Sequence, residues 1–148
     1  MQLAFQEAQK AFDEGEVPVG CVIVRSKDNY IVATSRNLMQ HNKNPNSHAE
    51  ILAINLACLK LDNKNLSECD IYITLEPCTM CAAAIANARL GRLYYAAGDK
   101  KQGAVEHGPR FFNSPSCLHR PEIYSGILEE ESVNIMQSFF SKIRKTKL

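Results

Sequence analysis

The stretch Thr74-Leu75-Glu76-Pro77-Cys78-Thr79-Met80-Cys81 limits what this chain can fold into more than any other. An extended run ends at a proline, which has no N–H with which to continue a ladder, and two thiols follow at a spacing of three. If a helix begins just after Pro77, positions 78 and 81 share a face and both sulfurs can reach one ion. A C-x-x-C pair can equally be a redox dithiol, or a coincidence in a cysteine-rich chain, so the presence or absence of further ligands decides among the three.

Ser47-His48-Ala49-Glu50 supplies the candidates. Ile51, Leu52, Ile54, Leu56, Leu59 and Leu61 mark a largely apolar helix with Ser47 as its expected N-cap, which puts His48 and Glu50 in the first turn. If both helices aim their N-termini at one spot, the positive ends favour thiolates and His48 becomes a third ligand. Two sulfurs and one imidazole suit zinc. Three protein ligands with an open fourth position are the pattern of a catalytic site, and His41, His107 and His119 lie in loops outside any paired spacing. Because two thiolates cancel the charge of Zn²⁺, a nearby base is useful, and Glu50 is then the proton carrier. Each residue also has an ordinary structural role open to it: Ser47-x-x-Glu50 can be a capping box, and a lone histidine is more often structural than a ligand. Neither role accounts for ligand types gathering at two helix starts separated by a strand.

The rest of the chain suits a three-layer α/β/α sandwich around a mixed sheet of about five strands. Leu3, Ala4, Ala8, Ala11 and Phe12 recur at helical spacing and Gly15 ends the turn. Residues 21–24 and 30–33 form a hairpin across Lys27-Asp28-Asn29, residues 36–46 are polar and turn-prone, and 70–75 are a buried strand. A short helix of small residues over 82–88 is ended by Gly91. Strand character returns at 93–97 and 122–128, with an aperiodic stretch over 98–118 between them, of a length that is usually functional or mobile. Val133, Met136, Phe139, Phe140 and Ile143 mark one face of a last helix.

Composition excludes several classes. The 148 residues suit one domain, 1–148, with its own core, and no apolar run approaches the length of a membrane span. Met1 to Glu7 lack a basic segment followed by an apolar one, so a cytoplasmic location without a secretory signal is expected. In that reducing compartment Cys21, Cys58, Cys69 and Cys117, which lack a motif, are expected to be simple buried side chains. Net charge is only +1, but Lys142, Arg144, Lys145 and Lys147 follow Ser132 with no acidic residue among them. Such a tail fits phosphate attraction and helix-dipole compensation equally well.

His48-Ala49-Glu50 together with Glu76-Pro77-Cys78-Thr79-Met80-Cys81 resembles the cytidine deaminase-like superfamily. More narrowly, nearly the whole chain resembles the bacterial tRNA-specific adenosine deaminases. The stretches that carry this are Glu16-Val17-Pro18-Val19-Gly20, Ala88-Arg89-Leu90-Gly91-Arg92, Gly98-Asp99-Lys100-Lys101-Gln102-Gly103-Ala104, and His119-Arg120 through Gly126-Ile127-Leu128. The resemblance implies hydrolytic deamination of adenosine to inosine at the wobble position of a tRNA anticodon. It implies one Zn²⁺ per subunit on His48, Cys78 and Cys81, Glu50 as proton shuttle, and Asn37 with the backbone of Ala49 holding a flipped base. It further implies a homodimer, and an anticodon stem-loop received near Asp99, Lys101, Phe140 (or Phe139) and Arg144. Two departures stand out: Val105-Glu106-His107-Gly108 replaces small and polar residues, among them a serine, and Leu118 stands where asparagine is common. The rivals are a deaminase of free guanine- or cytosine-type bases or nucleotides, a non-catalytic zinc-containing RNA-binding module, and a thiol oxidoreductase.

Overall fold

Small residues allow the first helix to lie almost on the sheet. In the computed structural model, which describes residues 1–147, α1 (Gln2–Asp13) turns the fully buried Ala4, Ala8 and Ala11 toward β1 (Gly20–Arg25). A Cβ on Gly20 would stand 1.8 Å from the Ala4 carbonyl oxygen, so the strand can begin there only as glycine. β1 pairs antiparallel with β2 (Tyr30–Arg36), and the turn between them uses Asn29 at φ 54°, a conformation asparagine tolerates.

β3 (Cys69–Leu75) joins the other edge of β1, also antiparallel, and β4 (Arg92–Ala97) and β5 (Glu122–Ser125) follow in parallel. The result is a mixed five-stranded sheet in the order β2-β1-β3-β4-β5. Parallel neighbours need crossovers. α4 (Thr79–Asn87) carries the chain from β3 to β4, and an irregular segment with a 3₁₀ turn at Phe111–Asn113 carries it from β4 to β5.

α3 (Ala49–Leu61) and α4 cover one face, while α1 and α5 (Glu129–Thr146) cover the other, which is the expected α/β/α sandwich. Alternation along the strands fills the first interface with Cys21, Ile23, Ile71, Ile73, Leu93 and Tyr95. Full burial of each aliphatic side chain contributes about 2 kcal/mol. On the opposite face the parallel register aligns Tyr72, Tyr94 and Tyr124 in a row. Their rings stack at 4.5 and 5.0 Å, with planes 4° and 16° apart. Among the described residues no helix is long and apolar enough to cross a membrane.

Four boundaries differ from those expected. The N-cap of α3 is His48, not Ser47, and α4 starts at Thr79, three residues before 82, with Cys78 as its N-cap. The polar stretch 36–46 contains a short helix, α2 (Met39–Asn42), whose first amides at Gln40 and His41 donate to the buried Glu16 carboxylate. β5 ends at Ser125 because Gly126 turns to φ 87° and sends its N–H back to the carbonyls of Tyr95 and Ala96.

Candidate active site

Two helix starts meet below the C-terminal end of β3. His48 (φ −70°, ψ 151°) and Cys78 (φ −73°, ψ 176°) both have the extended backbone of an N-cap, and neither side chain bonds a helix amide. An N-cap side chain commonly satisfies an orphan N–H; here both are free to turn toward each other. Nδ1 of His48 lies 3.6 Å from Cys78 Sγ and 3.5 Å from Cys81 Sγ, and the three ligand atoms fall within 4.8 Å of one another. Tetrahedral zinc with its usual bond lengths sets neighbouring donors about 3.5 Å apart, so the donor set and its spacing fit such an ion. Among the described residues no other group of His, Cys, Asp and Glu meets that criterion.

The electrostatics suit a cation. A hydrogen bond from the Cys81 thiol, helped by His48, outweighs burial and holds Cys78 down at about 4, so it is a thiolate. Cys81, which gives that bond, is pushed strongly upward by it and by burial. The sulfurs thus share a proton that a divalent ion would replace. The bond to Cys78 raises His48 above the ordinary histidine value.

Glu50 stands in the first turn of α3 and is 5% exposed. Burial raises its carboxyl above the ordinary value, against the opposing effect of its own amide. It does not serve as the far half of a capping box, because Ser47 is not the N-cap and its hydroxyl instead accepts from Asn42 Nδ2 at 3.1 Å. Ser35 Oγ on β2 donates to the Ala49 carbonyl and ties the first turn of α3 to the sheet.

The cluster opens into a cavity of about 1030 Å³. Val17, Val19, Asn37, Ala49 and Glu50 line its floor, Gly98 to Gln102 one wall, and Met136, Phe140 and Arg144 of α5 another. Thus Asn37, Ala49, Asp99, Lys101, Phe140 and Arg144 all reach one space. Asn37 is held by its Nδ2 on the Val17 carbonyl and its Oδ1 on the Met39 amide. Asp99 is engaged locally, since its carboxylate accepts from the amides of Lys101 and Gln102 and shapes the wall. Phe139 lies elsewhere: it is 4% exposed and edge-on to Phe12 at 5.8 Å.

The remaining cysteines and histidines settle into other places. Cys21 and Cys69 are buried, Cys58 and Cys117 half-buried, and none of the six cysteines is in a disulfide. Nε2 of His119 bonds the Leu90 carbonyl, and His107 sits against Glu76. Nothing in the sequence singles out Glu76 for a role of its own, yet it is the most heavily bonded side chain near the site. Its partners, Asp99 and residues 105–107, stand 23 to 31 positions away, so no local signal marks them. Ser132, which bonds the Thr74 carbonyl and docks the start of α5 on β3, is hidden for the same reason.

The MafB19-like deaminase family model matches residues 1–144. A tRNA-specific adenosine deaminase of Rickettsia typhi is 54% identical over 146 residues, covering 99% of this chain and 99% of its own. One of Rickettsia bellii is 55% identical over 144 residues, covering 97% and 99%. Among solved structures, one from biochemical and structural studies of A-to-I editing by tRNA:A34 deaminases at the wobble position of transfer RNA superposes with a TM-score of 0.88. It is 50% identical and the match covers 91% of this chain and 96% of that one.

Proposed function

The chain belongs to the tRNA-specific adenosine deaminase family, and on that premise we propose that it hydrolyses adenosine at the wobble position of a tRNA anticodon to inosine and ammonia. The observation that carries this is one imidazole nitrogen and two sulfurs within 4.8 Å of one another, opening on a cavity whose floor includes the buried carboxylate of Glu50.

His48, Cys78 and Cys81 would hold one zinc ion per subunit. When bound, zinc supplies the Lewis acidity that makes a water nucleophilic near neutral pH. Glu50 takes a proton from the attacking water and passes it to the purine ring nitrogen as C6 is attacked, then takes the second proton from the new C6 hydroxyl and gives it to the amine, which leaves as ammonia while the C6 carbonyl forms. Burial suits it to this, because a carboxyl raised above its ordinary value accepts a proton more readily than an exposed one. Asn37 and the Ala49 backbone face the base from the floor, and Asn37 is already oriented by its two backbone partners. Phe140 and Arg144 offer a stacking surface and a cation to the flanking nucleotides of an unpaired loop.

The working unit is a single domain spanning 1–148, acting in the cytoplasm as a homodimer. Support for a partner subunit comes from Leu56 and Leu59 of α3, which are 49% and 80% exposed on a helix otherwise rich in apolar residues. The test is to incubate metal-loaded protein with an anticodon stem-loop bearing adenosine at the wobble position and, separately, with free guanine and cytosine. Inosine should form in the stem-loop. Ammonia release from free bases alone would overturn the reading in favour of a base deaminase, and turnover of neither would favour a non-catalytic RNA-binding module.

A further inference from the structure

Glu76 has a side chain with no solvent exposure and both its oxygens are fully engaged. Oε1 accepts the amides of Val105, Glu106 and His107 at 3.1, 2.7 and 3.1 Å. Oε2 accepts the Asp99 amide at 2.8 Å and the His107 ring N–H, at Nδ1, at 2.7 Å. Both ends of the segment 99–107 therefore hang on one carboxylate. The same segment lies against the metal-ligand turn, through the Ala104 amide on the Pro77 carbonyl and the bridge from Cys78 to Gly103.

Four of those five donors are main-chain amides, which almost any sequence could supply. The fifth is an imidazole, and it does a second thing. A Cβ on Gly98 would meet His107 Cε1 at 2.9 Å and Nδ1 at 3.5 Å, so the ring packs closely against Gly98, just before Asp99. Gly98, Asp99 and Lys101 line the same cavity as Phe140 and Arg144 of α5. His107 thus clamps the wall from behind while lying outside the cavity lining.

We propose that His107 is a positioning residue for the substrate: acting through Glu76 and Gly98, it holds the wall from Gly98 to Gln102 in the arrangement that receives the nucleotide. It touches none of the reacting atoms, so it governs binding and not proton transfer. The proposal rests on the deaminase reading above.

The test uses the zinc-loaded, full-length protein as wild type, His107→Ala, His107→Asn, Gly98→Ala and the Gly98→Ala/His107→Ala double variant. An asparagine places an amide nitrogen where Nδ1 stands and keeps the bond to Glu76. His107→Ala should raise KM for the stem-loop about tenfold with kcat within about twofold, the signature of lost uniform binding, and His107→Asn should recover most of it. Gly98→Ala should raise KM by a similar factor alone but add less than about twofold in the His107→Ala background, because the atoms it strikes are gone. A readout that needs no substrate is amide hydrogen exchange at 99 and 105–107, expected to quicken about tenfold in His107→Ala and to return in His107→Asn. A fall in kcat at unchanged KM, additive effects of the two substitutions, or exchange indifferent to position 107 would overturn the proposal. If the wild type leaves the stem-loop untouched, the functional reading fails, while the exchange and its return in His107→Asn still decide the role of His107.

Discussion

Two adjacent phenylalanines should separate stability from substrate binding. Phe139 is 4% exposed, packed edge-on against Phe12 at 5.8 Å and against Phe140 at 5.4 Å. Truncating a buried phenylalanine to alanine costs about 3 to 5 kcal/mol, and because its ring partners Phe12 and Phe140 are themselves only partly buried, Phe139→Ala falls at the lower end, about 3 kcal/mol. For a chain of this size that lowers the melting temperature by about 6 to 12 °C. Phe140 is 42% exposed and faces the cavity, so Phe140→Ala should cost less than about 1 kcal/mol of stability. Loss of one base-stacking surface, worth about 1 to 3 kcal/mol, should instead raise KM for the anticodon stem-loop about tenfold or more. Thermal denaturation followed by circular dichroism gives the first quantity and steady-state inosine formation the second. Equal melting shifts for the two variants would refute the division of labour, and so would an unchanged KM for Phe140→Ala.

Three further outcomes are expected. Glu50→Gln should lower kcat by about 10² to 10⁴ while elemental analysis still finds one zinc per chain; loss of the metal instead would mean that the carboxylate is structural. Gly20→Ala drives a methyl onto the Ala4 carbonyl and should lower stability by about 3 kcal/mol or more, and a denaturant midpoint equal to wild type would contradict the close crossing of α1 and β1. Burial alone would raise the Glu76 carboxyl, but the amides of Asp99, Glu106 and His107 and the His107 ring outweigh it and leave the folded value below the ordinary 4.5. Its contribution is therefore full above about pH 4.5 and is lost as pH falls through the depressed folded value, so melting temperatures between pH 6 and 3 should fall more steeply for wild type than for Glu76→Gln. Parallel profiles would show that this carboxylate is not the acid-sensitive group.

The candidate site was legible because its chemistry is local. His48 and Glu50 are two residues apart, Cys78 and Cys81 three, and each pair opens a helix, so short spacings betray both. What the sequence hid is how those openings are held. Ser47 has better N-cap chemistry than His48, but its hydroxyl is engaged by Asn42, which is in place only because α2 forms. α2 in turn has no apolar periodicity and depends on Glu16, more than twenty positions upstream. The layers and the sheet followed from alternation and helical spacing, since burial writes itself into every second or fourth residue. Glu76 and Ser132 leave no such trace, because they bond mainly to backbone amides and carbonyls, which carry no residue signature, and His107 meets Glu76 across 31 positions.

The tyrosine row on β3, β4 and β5 makes the chain its own optical probe. There is no tryptophan to drain the excitation, and Tyr72, Tyr94 and Tyr124 stand close enough to pass it among themselves. β5 is a short edge strand, so fraying it would part Tyr124 from its neighbour and change the polarisation of the emitted light. The sheet's weakest margin thus carries a label-free reporter on the face away from α3, α4 and the ligand cluster at their start.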